Sequence, residues 1–171
     1  MTRSELEIII KKRAAFFIVA FAALLAFNAQ IGNSNSSKIS ANTIAANNVW
    51  THYGSKNVSA KLYATFAEVL DADGKPSATK LATHFRLEAK RMREEPEDGM
   101  LALTAKAKAL EAERDRRSQF SPYFTYAGLA LQIGIVLSTA AILAVFMPLF
   151  YGSVAVGSLG TVLFLIGYLG V

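Results

Sequence analysis

Three long segments without a charged side chain set the strongest limit on what this chain can fold into. They are Ala14 to Ile31, Phe124 to Met147 and Ser153 to Val171. Each is close to the roughly 20 residues that a helix needs to cross the hydrocarbon core of a bilayer. With 53% apolar residues overall, the sequence predicts an all-α integral membrane protein with three transmembrane helices.

The chain between the first two apolar segments, from Gly32 to Ser121, carries most of the charge, with acidic and basic residues intermixed. This pattern predicts an extramembrane helical hairpin or bundle and offers no single-sign face for nucleic acid. The net charge of +5 favours anionic lipid as the counter-charge. Because the chain has no cysteine, disulfides, thiol catalysis and thiolate metal sites are excluded.

The N-terminal region combines a helix start with a basic cluster. Ser4 to Glu7 has the spacing of a capping box, so a helix is expected to begin near Ser4. It continues through Lys11 to Arg13, which lie at headgroup level, into the first apolar segment. A cleaved signal peptide is the alternative, but Phe27 is a poor residue for its minus-three position, and we expect a permanent anchor. The segment Asn33 to Ser37 is either a short linker or the polar first turn of a second helix.

The central region is predicted to be helical with two breaks. Ile44 to Leu70 contains no proline and one glycine, and breaks are expected at Asp71 to Pro76 and at Pro96 to Gly99. Two adjacent stripes at helical spacing are expected to pack closely against another helix. The first holds Trp50, Tyr53, Asn57, Ala60, Ala64 and Ala67, and the second holds Val58, Leu62, Phe66 and Val69.

The second and third apolar segments are expected to form an antiparallel pair. Ser121-Pro122 is typical of an N-cap followed by a first helical residue, and a short turn is expected at 148–152. Small residues recur every four positions, which lets helices approach closely in lipid. They are Ala130, Gly134 and Ser138 on one segment and Ser153, Gly157 and Thr161 on the other. Packing within the chain is the first interpretation, and contact with another subunit is the alternative.

These patterns divide the chain into six predicted regions. They are a cytoplasmic helix start at 1–13, a transmembrane helix at 14–31, the extramembrane helical domain at 32–121, a second transmembrane helix at 122–147, the turn at 148–152 and a third transmembrane helix at 153–171.

The distribution of basic residues bears on the orientation in the membrane. Lys11 to Arg13 places the N-terminus in the cytoplasm and the central domain on the other side. Arg114 to Arg117, just before the second apolar segment, favours the reverse. Because the first transmembrane helix usually dominates, we expect a periplasm-like placement of the central domain.

Signatures of chemistry are missing from the sequence. His52 and His84 are far apart, and Asp71-Ala72-Asp73-Gly74 lacks the glutamate that a calcium loop requires. No phosphate-binding loop and no nucleophile elbow occur, so neither an enzyme nor a cofactor is predicted. The apolar segments contain no buried charge for transport, and Gln132 is expected to hydrogen-bond a neighbouring helix.

Two groups of residues resemble a known family. The first is Trp50-x-x-Tyr53-x-x-Lys56 with Leu62-Tyr63, and the second is Phe124-x-x-Ala127 with Leu131-Gln132-Ile133-Gly134-Ile135. Over nearly the whole chain, the sequence resembles the bacterial membrane family catalogued as domain of unknown function 4337. The resemblance implies a multi-pass protein of the bacterial inner membrane and supplies no activity.

Three functions compete on this basis. The first is a non-enzymatic accessory or scaffold subunit that binds other membrane subunits or copies of itself, and the second is an envelope sensor. A membrane enzyme or transporter component is the third and has the least support. The residues singled out for helix packing or interaction are Trp50, Tyr53, Lys56, Tyr63, Gln132, Gly134, Ser138, Gly157 and Thr161.

Overall fold

The computed structural model describes the backbone of residues 3–171 and the side chains of Glu5 and of residues 7–171. It contains the helices α1 (Arg3–Asp73), α2 (Pro76–Glu94), α3 (Met100–Ala144) and α4 (Met147–Gly170). None of the described residues lies in a strand. Three of the helices, α1, α3 and α4, are long and apolar enough to cross a membrane. The all-helical prediction is therefore confirmed.

The chain divides into two compact units. The apolar unit holds the chain up to Ile39 together with Asp115–Val171, and the polar unit is Ser40–Arg114. The apolar unit is built from the first part of α1, the second part of α3 and all of α4. The polar unit is built from the remainder of α1, all of α2 and the start of α3.

The helix α1 begins at Arg3, close to the predicted start, although the Ser4 side chain of the predicted capping box lies outside the described side chains. The segment Asn33 to Ser37 is neither a linker nor the first turn of a new helix, because α1 runs through it. Asparagine and serine have low helix propensity. Here the buried Asn35 donates its amide to the carbonyl oxygen of Arg117 at 3.3 Å, which ties this part of α1 to α3.

Buried positions in the apolar unit follow a seven-residue repeat, as expected for helices packed side by side. On α1 the repeat consists of Ala14, Phe21, Asn28 and Asn35. On α4 the buried residues alternate in steps of three and four, and they are Phe150, Ser153, Gly157, Gly160, Phe164 and Gly167.

The prediction that a helix starts at Ser121-Pro122 is wrong. The helix α3 runs from Met100 to Ala144 with Pro122 inside it. Proline removes the hydrogen bond to the carbonyl of the residue four positions earlier, which here is Ser118. Ser118 and Pro122 are both exposed, while Phe124 is buried in the core cluster with Ala127. Burial on one face therefore keeps the helix continuous where local preference favours a start.

The predicted turn at 148–152 is also wrong, because α4 begins at Met147 with Pro148 in its first turn. Only Val145 and Phe146 connect α3 to α4. Val145 has a φ of +49°, and the amide of Phe146 donates to the carbonyl of Ala141 at 3.3 Å. This is the hydrogen bond of a Schellman helix end, in which glycine usually occupies the left-handed position. The valine strains the backbone there and packs on the cluster of Ile10, Ala14, Ala141 and Phe150.

The polar unit has the two breaks that the sequence predicted. Helix α1 ends at Asp73 before Gly74, whose φ is +68°, and α2 ends at Glu94 before Pro96. The buried residues of this unit other than Gly99 and Leu103 are all alanines, which let its helices pack at short distances. They are Ala46, Ala60, Ala67, Ala78, Ala82, Ala89 and Ala107.

Candidate interaction sites

A close helix contact in the apolar unit lies between Gly134 on α3 and Gly157 on α4. A Cβ atom added to Gly134 would lie 3.1 Å from the Gly157 Cα. One turn away, the Ser138 hydroxyl donates to the Ser153 Oγ at 2.9 Å, and Ser153 donates to the Phe150 carbonyl at 2.8 Å. Since these pairs run in opposite order along the two helices, α3 and α4 are antiparallel. Both serine hydroxyls are satisfied although the residues are fully buried.

Helix α1 reaches the same contact through Phe21. A Cβ atom on Gly157 would overlap the Phe21 ring as it lies here, so the ring packs directly on the glycine. Thr161, one turn along, is half-buried and donates to the Gly157 carbonyl within its own helix at 3.0 Å. The predicted packing residues Gly134, Ser138 and Gly157 thus lie together, and Thr161 adds a local contact only.

Two asparagines that no sequence pattern above singled out connect α1 to α3. The Asn28 amide donates to the Phe124 carbonyl at 2.9 Å, seven residues from the equivalent contact of Asn35 with Arg117. Among the described residues, the Oδ1 atoms of both asparagines are buried without a hydrogen-bond partner. Their seven-residue spacing, in register with Ala14 and Phe21, was the signal that could have revealed them.

Gln132 does not take the predicted place between helices. It lies on the exposed side of α3, near the middle of the apolar segment, and its neighbours on that side include Leu129, Ile133 and Val136. Within the part of the chain that the structure describes, its amide makes no hydrogen bond. The period of an apolar helix indicates which residues share a face, and here the small residues, not the amide, face α4.

The predicted aromatic residues Trp50 and Tyr53 lie inside the polar unit. The Trp50 Nε1 donates to the Glu111 carboxylate at 2.8 Å and so connects α1 to α3. The rings of Trp50 and Tyr53 meet edge to face, with centroids 5.5 Å apart. Tyr53 also lines a cavity of about 300 Å³ with Met100 and Thr104. Both rings contribute to the packing of the unit.

Lys56 joins α1 to the loop between α2 and α3. Its ammonium lies 2.6 Å from the Asp98 carboxylate and 3.8 Å from that of Glu95. The His52 ring is 3.5 Å from the same Asp98. The hydrogen bond from Lys56 holds the pKa of Asp98 below its ordinary value of 3.8, and the nearby His52 and Lys106 act in the same direction. Lys56 is therefore an ion-pair residue of the polar unit.

Tyr63 contacts α2 through Phe85, whose ring centroid is 5.5 Å away. Phe66 approaches the same ring at 6.1 Å, and its own side chain is 52% exposed. Phe66 belongs to the second predicted stripe, which this ring contact with α2 covers only in part. We call this set the α1 stripe, and its members Val58, Leu62, Phe66 and Val69 are between 52% and 63% exposed.

The two histidines lie in separate surroundings within the polar unit. No cluster of three or more histidine, cysteine, aspartate or glutamate residues that could hold a metal ion occurs among the described residues. His52 lies beside Asp98, and His84 lies against the Phe85 ring with centroids 6.1 Å apart. The arrangement provides two kinds of surface instead: an exposed amide in the apolar unit and exposed apolar side chains in the polar unit.

Comparison with known proteins gives one match. A family model described as "Domain of unknown function (DUF4337)" matches residues 10–170. No curated protein and no solved structure matches the chain.

Proposed function

Because the chain belongs to the family of the domain of unknown function DUF4337, which supplies no activity, we propose its role from its surfaces: a non-enzymatic scaffold subunit of the membrane that assembles with copies of itself. The α1 stripe carries this proposal. Val58, Leu62, Phe66 and Val69 are spaced by four, four and three residues, as on one face of a helix that pairs with another. All four are more than half exposed, while the interior of the same unit is lined by alanine.

The surface of the polar unit suits water. Its exposed surface also carries charges such as Lys61 and Glu68, which suit water and not lipid. Each large apolar side chain of the stripe would gain about 1 kcal/mol or more if its remaining exposed surface were covered. Contiguous apolar surface of this kind marks an interaction site on a soluble domain.

Gln132 supports the same proposal from the apolar unit. An amide in the middle of an apolar helix surface is unfavourable in hydrocarbon unless another polar group pairs with it. A glutamine amide both donates and accepts, so the same residue on a second copy can satisfy it. Copies inserted in one direction in a membrane meet through a two-fold axis along the membrane normal, where identical surfaces face each other. Both the α1 stripe and Gln132 suit such a partner.

The test is the mass of the full chain in a mild detergent and in lipid nanodiscs, measured by native mass spectrometry. We expect a defined oligomer for the unchanged protein. The double variant Leu62→Ser/Phe66→Ser should shift it toward the monomer, with the apparent dissociation constant raised at least about tenfold, since about 1.4 kcal/mol corresponds to that factor. Gln132→Leu should weaken the oligomer by a smaller factor, because a single interhelical hydrogen bond in lipid contributes about 0.6 kcal/mol on average.

A matched control is Thr51→Ser with Lys61→Gln, which alters exposed residues of α1 outside the stripe and should leave the mass unchanged. A monomer at every concentration, with no partner after mild crosslinking in membranes, would overturn the scaffold role. If the chain is a monomer that purifies with a different membrane protein, self-association is overturned. The chain is then an accessory subunit of that protein.

We further infer that the first part of α1, the apolar part of α3 and all of α4 cross the bacterial inner membrane, with a cytoplasmic N-terminus and a periplasmic polar unit. The basic cluster Lys11 to Arg13 supports this orientation. Because the chain has no cysteine, single cysteines report on the side directly. A membrane-impermeant maleimide should label Lys75→Cys in intact spheroplasts and label Lys12→Cys only after lysis. The opposite pattern would reverse the orientation.

A further inference from the structure

A cavity of about 200 Å³ lies in the apolar unit where the first apolar segment of α1 ends. Helix α1 lines it with Ile31, Asn35 and Lys38, α3 with Arg117, and α4 with Tyr168. Lysine and arginine supply the two charged side chains, and no aspartate or glutamate side chain is among the described lining residues. The side chains that line the cavity therefore carry two positive charges.

The half-buried Arg117 and the exposed Lys38 approach the cavity from different helices. Arginine binds phosphate through two parallel hydrogen bonds, and lysine adds a compact positive charge. A phosphate group between them would therefore have two cationic partners. Tyr168, which also lines the cavity, carries a hydroxyl that can donate to the same group.

Asn35 adds a second requirement. It is 2% exposed, and its Nδ2 donates to the Arg117 carbonyl, which directs Oδ1 away from that bond. Within the described residues, this Oδ1 has no hydrogen-bond partner. A buried acceptor left unpaired is costly, so a ligand that brings a hydroxyl donor beside its phosphate would satisfy it.

The position of the cavity along the helices indicates where such a ligand comes from. Ile31 is the last residue of the apolar segment of α1, and Lys38 follows two turns later. Tyr168 lies near the end of α4, and tyrosine is typical of the boundary between membrane and water. Arginine and lysine at headgroup level between helices pair with the phosphates of anionic lipids.

We propose that this cavity binds the headgroup of an anionic phospholipid, with the phosphate on Lys38 and Arg117 and a headgroup hydroxyl on the Asn35 Oδ1. Phosphatidylglycerol has both groups. The proposal rests on the inferred membrane placement of the apolar unit and is independent of self-association, which the oligomer mass tests separately.

The experiment is a lipid titration of the full chain, with an N-terminal affinity tag because Val171 lines the cavity. Native mass spectrometry follows binding of phosphatidylglycerol, phosphatidic acid and phosphatidylcholine. Phosphatidylglycerol should bind most tightly. Its apparent dissociation constant should rise about 25-fold in Lys38→Gln/Arg117→Gln, because each basic residue near a membrane surface contributes a factor of about five. Asn35→Leu should reduce the preference for phosphatidylglycerol over phosphatidic acid about fivefold, as expected for one hydrogen bond.

Two matched variants and two soluble ligands complete the test. Lys12→Gln/Arg13→Gln removes two charges from the other basic region of α1 and should leave binding unchanged. Lys38→Arg/Arg117→Lys keeps both charges and should retain most of the affinity, which separates charge loss from misfolding. Equal loss in the two charge-removing variants would overturn the proposal. If inorganic phosphate or glycerol phosphate stabilised the chain as much as phosphatidylglycerol does, the ligand would be a soluble anion. That result would overturn the lipid assignment.

Discussion

The apolar and polar units use small residues in the same way inside and expose opposite chemistry outside. In the apolar unit, Gly134 lies against Gly157 in the interior, and an amide, Gln132, is exposed on an apolar surface. In the polar unit, alanines such as Ala60 fill the interior, and the large apolar Phe66 is exposed on a charged surface. With the proposed membrane placement, each unit thus exposes a side chain that its own surroundings do not suit. Close packing by small residues explains how both units hold together, and the exposed residues indicate where each can bind a partner.

The contacts that support the two interiors also differ. The apolar unit adds hydroxyl and amide hydrogen bonds, such as Ser138 to Ser153 and Asn28 to the Phe124 carbonyl. The polar unit adds an ion pair of Lys56 with Asp98. Charged groups are expensive to bury in lipid, whereas neutral hydrogen bonds are not. The difference therefore matches a lipid environment for one unit and water for the other.

The largest expected effect comes from Gly134→Leu. A Cβ atom there would lie 3.1 Å from the Gly157 Cα and 3.3 Å from the Ser153 carbonyl oxygen, both backbone atoms that cannot move without separating α3 from α4. We expect a loss of about 3 kcal/mol, at the upper end of the range for overpacking. Denaturant unfolding of the detergent-solubilised chain, followed by circular dichroism, measures it. The control is Gly152→Leu, because a Cβ atom on Gly152 has nothing within 4 Å; equal losses at both glycines would show that close backbone approach does not hold this unit.

The alanine interior of the polar unit gives a second, smaller effect. Ala67 is fully buried, so Ala67→Leu should cost about 2 kcal/mol by overpacking. Ala41 is exposed on the same helix, and Ala41→Leu should change stability by less than about 0.5 kcal/mol. The fluorescence of Trp50, the only tryptophan of the chain, reports on unfolding of this unit. If Ala67→Leu changed stability as little as Ala41→Leu does, the alanine interior of the polar unit would be loosely packed. Close packing by small residues would then not be common to the two units.

Sequence patterns predicted the parts of the fold that depend on local chemistry. The breaks near Gly74 and Pro96 follow from residues that end helices wherever they occur. Continuity through Pro122 and through Asn35 was not predicted, because it depends on burial and on hydrogen bonds to another helix that outweigh local propensity. Periodicity also could not show that Gln132 is exposed. The small residues and the amide lie on different sides of α3, and either side could pack against a neighbouring helix.

The contact between Trp50 and Glu111 should contribute about 1 kcal/mol, the usual net value for one partly buried hydrogen bond. A double-mutant cycle with Trp50→Phe and Glu111→Leu isolates it, because phenylalanine keeps a ring beside Tyr53 and removes only the indole donor. Stability is measured by circular dichroism, since Trp50→Phe removes the fluorophore. A coupling energy near zero would mean that this hydrogen bond does not help to hold α1 against α3.

The smallest expected effect concerns pH. The pKa of Asp98 is below its ordinary value of 3.8 in the folded chain, chiefly through the hydrogen bond from Lys56. A carboxyl group with a lowered folded pKa stabilises the fold at any pH above its unfolded pKa, and this contribution is lost as the pH falls through the folded value. In the His52→Gln background, the stability difference between the chain with Asp98 and the chain with Asp98→Asn should therefore be the same at neutral pH as at about pH 5 and should shrink only below about pH 4. The same comparison with His52 present separates the part that depends on the ring 3.5 Å from Asp98. If Asp98→Asn has no effect on stability in the His52→Gln background, the stabilisation comes from the histidine. The ion pair of Lys56 would then no longer distinguish the polar unit from the apolar one.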